Sequence, residues 1–161
     1  MVLKSLTDML RSPDRREVMD ALIDIGKEGH PELAPELFPF LTHPDPDFRS
    51  LALQSLGLFL RHPDARDIAL RMWALEPDPD AEVREVAVGA WAGYYGGTAD
   101  RWAMQLLVNH IRDHALPKSI RRRAYSGLLR VSNAPRERIA KAAPGIDLEL
   151  VEEIAREHRL D

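Results

Sequence analysis

The chain has 161 residues, of which 22 are Lys or Arg and 26 are Asp or Glu, for a net charge of −4. With 45% hydrophobic and 30% charged residues it has the balance of a globular protein, and the acidic excess argues against a uniformly basic nucleic-acid binder. The absence of cysteine excludes disulfides, zinc–thiolate sites, iron–sulfur clusters and thiol catalysis.

From the N-terminus, Met1 to Asp8 carries an early acid and no continuous apolar core, so no signal peptide is expected. An apolar-periodic stretch, Leu3–Leu10, predicts the first helix, and Ser12-Pro13 predicts a capped start for the second. Pro31 opens the next helix, over Leu33–Leu41, which Pro39 should kink by removing a hydrogen bond. Asp45-Pro46, Pro63 and Asp78-Pro79 mark further starts, with Ile68–Leu75 as the apolar stretch between the last two. Tyr94-Tyr95-Gly96-Gly97 reads as a helix stop. Trp102–Ile111 is helical, and Pro117 begins the next helix. Pro135–Ala143 and Asp147–Arg159 predict two terminal helices, the latter capped by Asp147 with Leu148, Val151, Ile154 and Ala155 on one face. No stretch alternates with period two, so the class is all-α. The longest uncharged run, residues 86–99, is 14 residues long and too short to span a bilayer, so the expectation is a soluble, cytoplasmic protein without membrane contact.

The helices repeat. Four segments begin with an arginine, Arg16, Arg49, Arg84 and Arg121, separated by 33, 35 and 37 residues. In each, the third and seventh following positions are apolar, a spacing that stacks them on one helical face. The expected organisation is one domain over 1–161, with repeats near 2–29, 30–62, 63–97 and 98–133 and a C-terminal cap over 134–161, since a run of repeats must cover its last apolar face.

Asp78-Pro79-Asp80-Ala81-Glu82-Val83-Arg84-Glu85-Val86-Ala87 resembles the turn and second helix of HEAT repeats, whose pattern is Asp-x-Asp-x-x-Val-Arg-x-x-Ala followed by a leucine, here replaced by Trp91. The stretch from His43 to Ala52 resembles it too, with His43 in place of the first aspartate. The repeat at Arg16 diverges and the one at Arg121 lacks the acids. The resemblance implies an α–α superhelix of about four helix pairs, of the short bacterial type. It also implies a structural ladder in which Arg49, Arg84 and Arg121 pair with turn aspartates, Asp45, Asp78 and Asp80 being available.

Chemistry-bearing patterns are sparse. His110 and His114 lie four apart, but a metal site would want a third ligand, and the metalloprotease pattern would want a glutamate where Ile111 stands. There is no nucleophile elbow or phosphate-binding glycine loop. Some HEAT-like proteins are DNA glycosylases with tryptophans and an aspartate on the concave face; Trp91 and Trp102 are present here, but Trp91 holds a core position of its repeat. No catalytic residue, metal or cofactor is therefore expected.

Charge is segregated. Residues 1–80 hold 9 basic and 15 acidic side chains, residues 101–142 hold 10 and 2, and residues 143–161 hold 2 and 6. Because second helices line the concave side in the family, the positions one, four, five and eight after each arginine are the expected groove lining. They suggest a partner-binding hot spot of Leu53, Val88, Ala92, Tyr125 and Leu129 flanked by Arg122. The expected function is a non-enzymatic scaffold that binds a protein or peptide. The alternatives are nucleic-acid binding through the basic fourth repeat, and an accessory subunit of a lyase-type enzyme, whose repeats look similar.

Overall fold

The computed structural model describes residues 5–161, and among them every regular element is helical. Chain contacts divide it into two compact units, Met1–Ala90 and Trp91–Asp161. The first carries 10 basic and 17 acidic residues, net −7, and the second 12 and 9, net +3.

In the first unit, α1 (Leu6–Leu10) is capped by Ser5, whose hydroxyl accepts from the N–H of Asp8; Leu3 of the expected helix lies outside the described residues. Its partner α2 (Arg15–Glu28) starts on Asp14 and not on Ser12-Pro13, because the Asp14 carboxylate takes the N–H of Arg16. Gly29, at φ 78°, closes α2 in the left-handed conformation that a C-terminal stop requires. The Pro39 kink takes a definite form. A 3-10 turn at Pro31–Leu33 leads into α3 (Ala34–Leu37), and the chain tightens again into a 3-10 turn at Phe38–Thr42 around the proline that cannot donate.

The second helix of this repeat, α4 (Pro46–Leu53), begins as expected on Asp45-Pro46 and runs on into a wider π turn at Gln54–Phe59. Likewise α5 (Pro63–Leu70), capped by His62, continues as a π turn at Arg71–Leu75. The two wide turns end with Leu58 and Phe59, and Leu75, exposed at the surface. Helix α6 (Ala81–Tyr94) starts two residues later than Asp78-Pro79 suggests: Asp80 accepts from the N–H groups of Glu82 and Val83, while Asp78 accepts from Asp80. The boundary between the units falls within α6.

In the second unit, α7 (Arg101–Arg112) packs on α8 (Lys118–Val131). Trp91, at the core position, packs edge-on against the half-exposed Trp102 at 5.7 Å between ring centroids. The C-terminal segment forms α9 (Arg136–Lys141) and α10 (Leu148–Glu157). Asp147 caps α10 as expected, but the buried face is Leu150, Val151, Ile154 and Ala155, and Leu148 is 45% exposed. Salt bridges tie this segment down: Arg112 of α7 grips Glu152, and Arg138 of α9 bridges Glu153 and Glu157 of α10. These arginines draw the Glu152 and Glu157 carboxyls below the usual glutamate range, and the N–H groups of Leu150 and Ala143 do the same for Asp147.

Candidate functional site

The second helices share a register that their starts define. Arg49, Arg84 and Arg121 are each the fourth residue of their helix, and in α2 that place belongs to Val18, not to Arg16. Counting from this fourth residue, the eighth following position of one helix meets the sixth of the next. Gly26 lies against Ser55, Gly57 against Ala90, and Ala92 against Gly127. The approach is very close: a Cβ placed on Gly57 would fall 2.8 Å from that of Ala90, and one on Gly127 would fall 2.9 Å from that of Ala92. At Gly26 the obstacle includes the Ser55 backbone, and the Ser55 hydroxyl donates to the Leu22 carbonyl. Small side chains at these positions let neighbouring helix backbones meet.

This register corrects the expected hot spot. The fourth following position (Leu22, Leu53, Val88 and Tyr125) is core in every repeat, and Leu53 and Val88 are fully buried. Tyr125 is 7% exposed, and burial, with the Asp147 carboxylate nearby, pushes up the pKa of its hydroxyl. Ala92 is consumed by the crossing with Gly127. The expected lining merged the position that fills the core with the position where successive helices cross. Of the six residues, the structure leaves Arg122 exposed and Leu129 partly exposed.

The repeat arginines divide into several roles. Arg49 makes a bidentate pair with Asp78, Nε to Oδ2 and Nη2 to Oδ1 both at 2.8 Å, with both side chains largely buried. This pair raises the Arg49 pKa. Arg49 also donates to the carbonyls six and five residues before it, His43 and Pro44. Arg84 repeats that clamp on the carbonyls of Asp78 and Pro79 and, among the described residues, carries no carboxylate pair. Arg121 donates to the Ile111 carbonyl. Asp80 is a helix cap, and Asp45 pairs with Arg15, which also meets Asp47 and lies 5.6 Å over the Phe48 ring. Arg15 holds the Asp45 carboxyl below its ordinary range. The recurrent feature is thus a clamp of helix onto preceding loop, with a carboxylate pair at Arg49. The loop spacing His43-Pro44-Asp45 and Asp78-Pro79-Asp80 was the available signal for it.

The surface of α8 differs from these ties. Arg122, Arg123, Arg130 and the neighbouring Arg136 are exposed, and among the described residues none has a carboxylate within ion-pair distance. Arg130 lies along a glycine strip: a Cβ on Gly96 would touch its Cγ and Cδ at 3.2 and 3.3 Å. Beside it runs a groove of about 580 Å³ lined by Gly97, Ser126, Leu129, Arg130, Asn133, Arg136 and Ile139. His110 points its Nδ1 at the Leu106 carbonyl, 2.8 Å away, and His114 is exposed beyond the end of α7. No helix among the described residues is long and apolar enough to cross a membrane.

A family model described as HEAT repeats matches residues 3–92. No curated protein and no solved structure matches the chain.

Proposed function

The chain belongs to the HEAT-repeat family, and we propose that it works as a non-enzymatic module that binds another protein through the exposed side of its fourth repeat. HEAT repeats generally mediate protein–protein interaction, which supports the class; the observation that carries the site is the set of four exposed arginines on and beside α8 that lack carboxylate partners. Arginine is enriched at protein interfaces because its planar fork binds carboxylates in two-point fashion and its weak hydration makes burial less costly. A lyase-type accessory subunit would be one instance of this reading, because such a subunit engages its enzyme as a protein.

The test is capture from the native cell by the full chain and by an Arg122→Glu/Arg123→Glu variant with unchanged helical signal. Proteins retained by the wild type and lost by the variant, with nuclease treatment making no difference, are the expected result. Equal capture by both would place the interface elsewhere.

The same four arginines favour a second reading, nucleic-acid binding. In that case a gel shift would weaken steeply with salt, because each neutralised phosphate releases counterions, and the same double variant would abolish it. The net charge of −4 supports the protein reading over this one.

A further inference from the structure

The crossing rule gives the groove on α8 a specific meaning. In the preceding repeats the eighth position is filled: Gly26 by Ser55, Gly57 by Ala90, Ala92 by Gly127. In α8 the eighth position is Leu129, and among the described residues neither α9 nor α10 brings a sixth-position residue against it. The terminal helices do not take its place. Arg138 ties α9 to α10 through Glu153 and Glu157, Tyr125 is covered, and Leu129 is left on the floor of the open groove.

This seat is built and held rigidly. The N–H of Gly97 donates to the Arg130 carbonyl and that of Ala99 to Val131, pinning the loop after α6 to the end of α8. The carbonyls of Leu128 and Leu129 accept from Ser132 and Ala134. The last turn of α8 therefore needs nothing from its side chains, and Arg130 and Arg136 remain to face a ligand. Ile139, 39% exposed, adds an apolar edge to Leu129, and Asn133 adds a polar one.

We infer that this groove is a vacant inter-repeat seat that receives a helix from a partner protein. That helix would present a small residue where the sixth position of a next repeat would fall, with acidic side chains on either side. The small residue follows because Leu129, unlike Gly26, Gly57 and Ala92 at the same position, already occupies the space between the helices and leaves room opposite only for a small side chain. The acids follow from Arg130 and Arg136, which flank the apolar floor without partners of their own. The inference rests on the protein-partner reading and narrows it to one surface and one ligand chemistry.

The probe is an end-capped, alanine-rich helical peptide of about 15 residues, long enough to be partly helical alone. Glutamates flank its central alanine. It is titrated into the full isotope-labelled chain and followed by amide NMR shifts. The expected result is saturable binding with shifts centred on Leu129, Arg130, Asn133 and Ile139. Arg130→Glu/Arg136→Glu should weaken it at least about tenfold, as charge reversal of flanking pairs does. Replacing the central alanine by tryptophan should weaken it similarly, since Leu129 already fills the space opposite and a second large side chain would overpack it.

Arg130→Gln/Arg136→Gln, which removes charge without reversing it, guards against a folding defect and should give an intermediate loss. Absence of binding, shifts elsewhere, or indifference to the alanine replacement would overturn the assignment. So would tighter, arginine-dependent binding of an oligothymidylate of equal charge, which would make the face a nucleic-acid site. Concentration-dependent self-association abolished by the double reversal would make a second copy the occupant and also overturn it. If the peptide fails while the native capture still depends on Arg122 and Arg123, the partner-binding reading stands and only the seat is wrong.

Discussion

Repeats two and four run in the same helical register and end differently. In repeat two the eighth position is Gly57, pressed against Ala90 so closely that no side chain fits; in repeat four it is Leu129, a large side chain on an open groove. The neighbouring ion chemistry differs in the same sense. Arg49 is largely buried and committed to Asp78, whereas Arg122, Arg123 and Arg130 are exposed and uncommitted. A position packed wherever a neighbouring second helix crosses it lies on an open groove in α8, where no described helix crosses it. The contrast also separates stability from recognition within one motif: the buried crossings hold helices together, and the last one is left for another molecule.

The largest break in that comparison should come from the filled crossings. Gly57→Leu places four carbons where not even one fits, so it must push the turn after α4 away from α6 and should cost well beyond the about 1–3 kcal/mol typical of modest overpacking. Leucine at 129 is native and does no such damage. Urea or thermal unfolding of Gly57→Leu and of Gly127→Leu checks this, with the helical signal as readout.

Asp78→Ala comes next. It strands the guanidinium of Arg49 in a mostly buried site, and removing one partner of such a pair typically costs about 3 kcal/mol. Arg122→Ala, exposed and unpaired, should fall within about 0.5 kcal/mol of wild type. A double-mutant cycle of Arg49 and Asp78 would give the coupling directly.

A sharper contrast pits core against seat with one chemistry. Leu53→Ala, at the buried fourth position, should cost about 2–5 kcal/mol, the usual range for a buried leucine. Leu129→Ala, partly exposed, should cost less than about 1 kcal/mol by the smaller area it removes from water. Equal losses would mean that Leu129 is core and that no seat exists.

The smallest effect concerns pH. The carboxyls of Glu152, Glu157 and Asp147 titrate below their ordinary values in the folded chain. Their stabilising contribution is therefore complete above the unfolded carboxylate range, near pH 4–4.5, and is lost as the pH falls through the lower folded values. Melting temperature should drop modestly between about pH 4.5 and pH 3, and Glu152→Gln/Glu157→Gln should flatten that drop. The groups are largely exposed, so solvent screening keeps the effect small.

Much of the fold was legible in the sequence because helix pairs announce themselves locally. The Asp45-Pro46 cap, the glycine stop after Tyr95 and the Asp147 cap are decided by backbone chemistry within a few residues. What was not legible depended on register. Aligning repeat one on Arg16 gave an offset of two, because Asp14, not Ser12, captures the first free N–H. Assigning Leu53, Val88 and Ala92 to a binding face followed from counting the fourth and eighth positions of each second helix as groove lining, when the fourth fills the core and the eighth meets the next helix. Only the actual crossing distances distinguish a helix face turned to the core, or to the next helix, from one turned to solvent. The cation cluster was visible as a charge run, but its freedom was not: Arg112 and Arg138 belong to the same run and are spent on Glu152, Glu153 and Glu157.

The most direct test of the vacant seat uses the absence of native cysteine. Single cysteines are introduced at the two eighth positions of the second unit, Ala92→Cys and Leu129→Cys, and their reaction with a thiol reagent is timed under native conditions. A thiol protected inside a packed crossing reacts only through opening of the structure, so Ala92→Cys should react about a hundredfold more slowly than Leu129→Cys. The acidic helical peptide should slow Leu129→Cys and leave Ala92→Cys unchanged. Similar rates at both positions would contradict the account, because position 129 would then be filled as position 92 is.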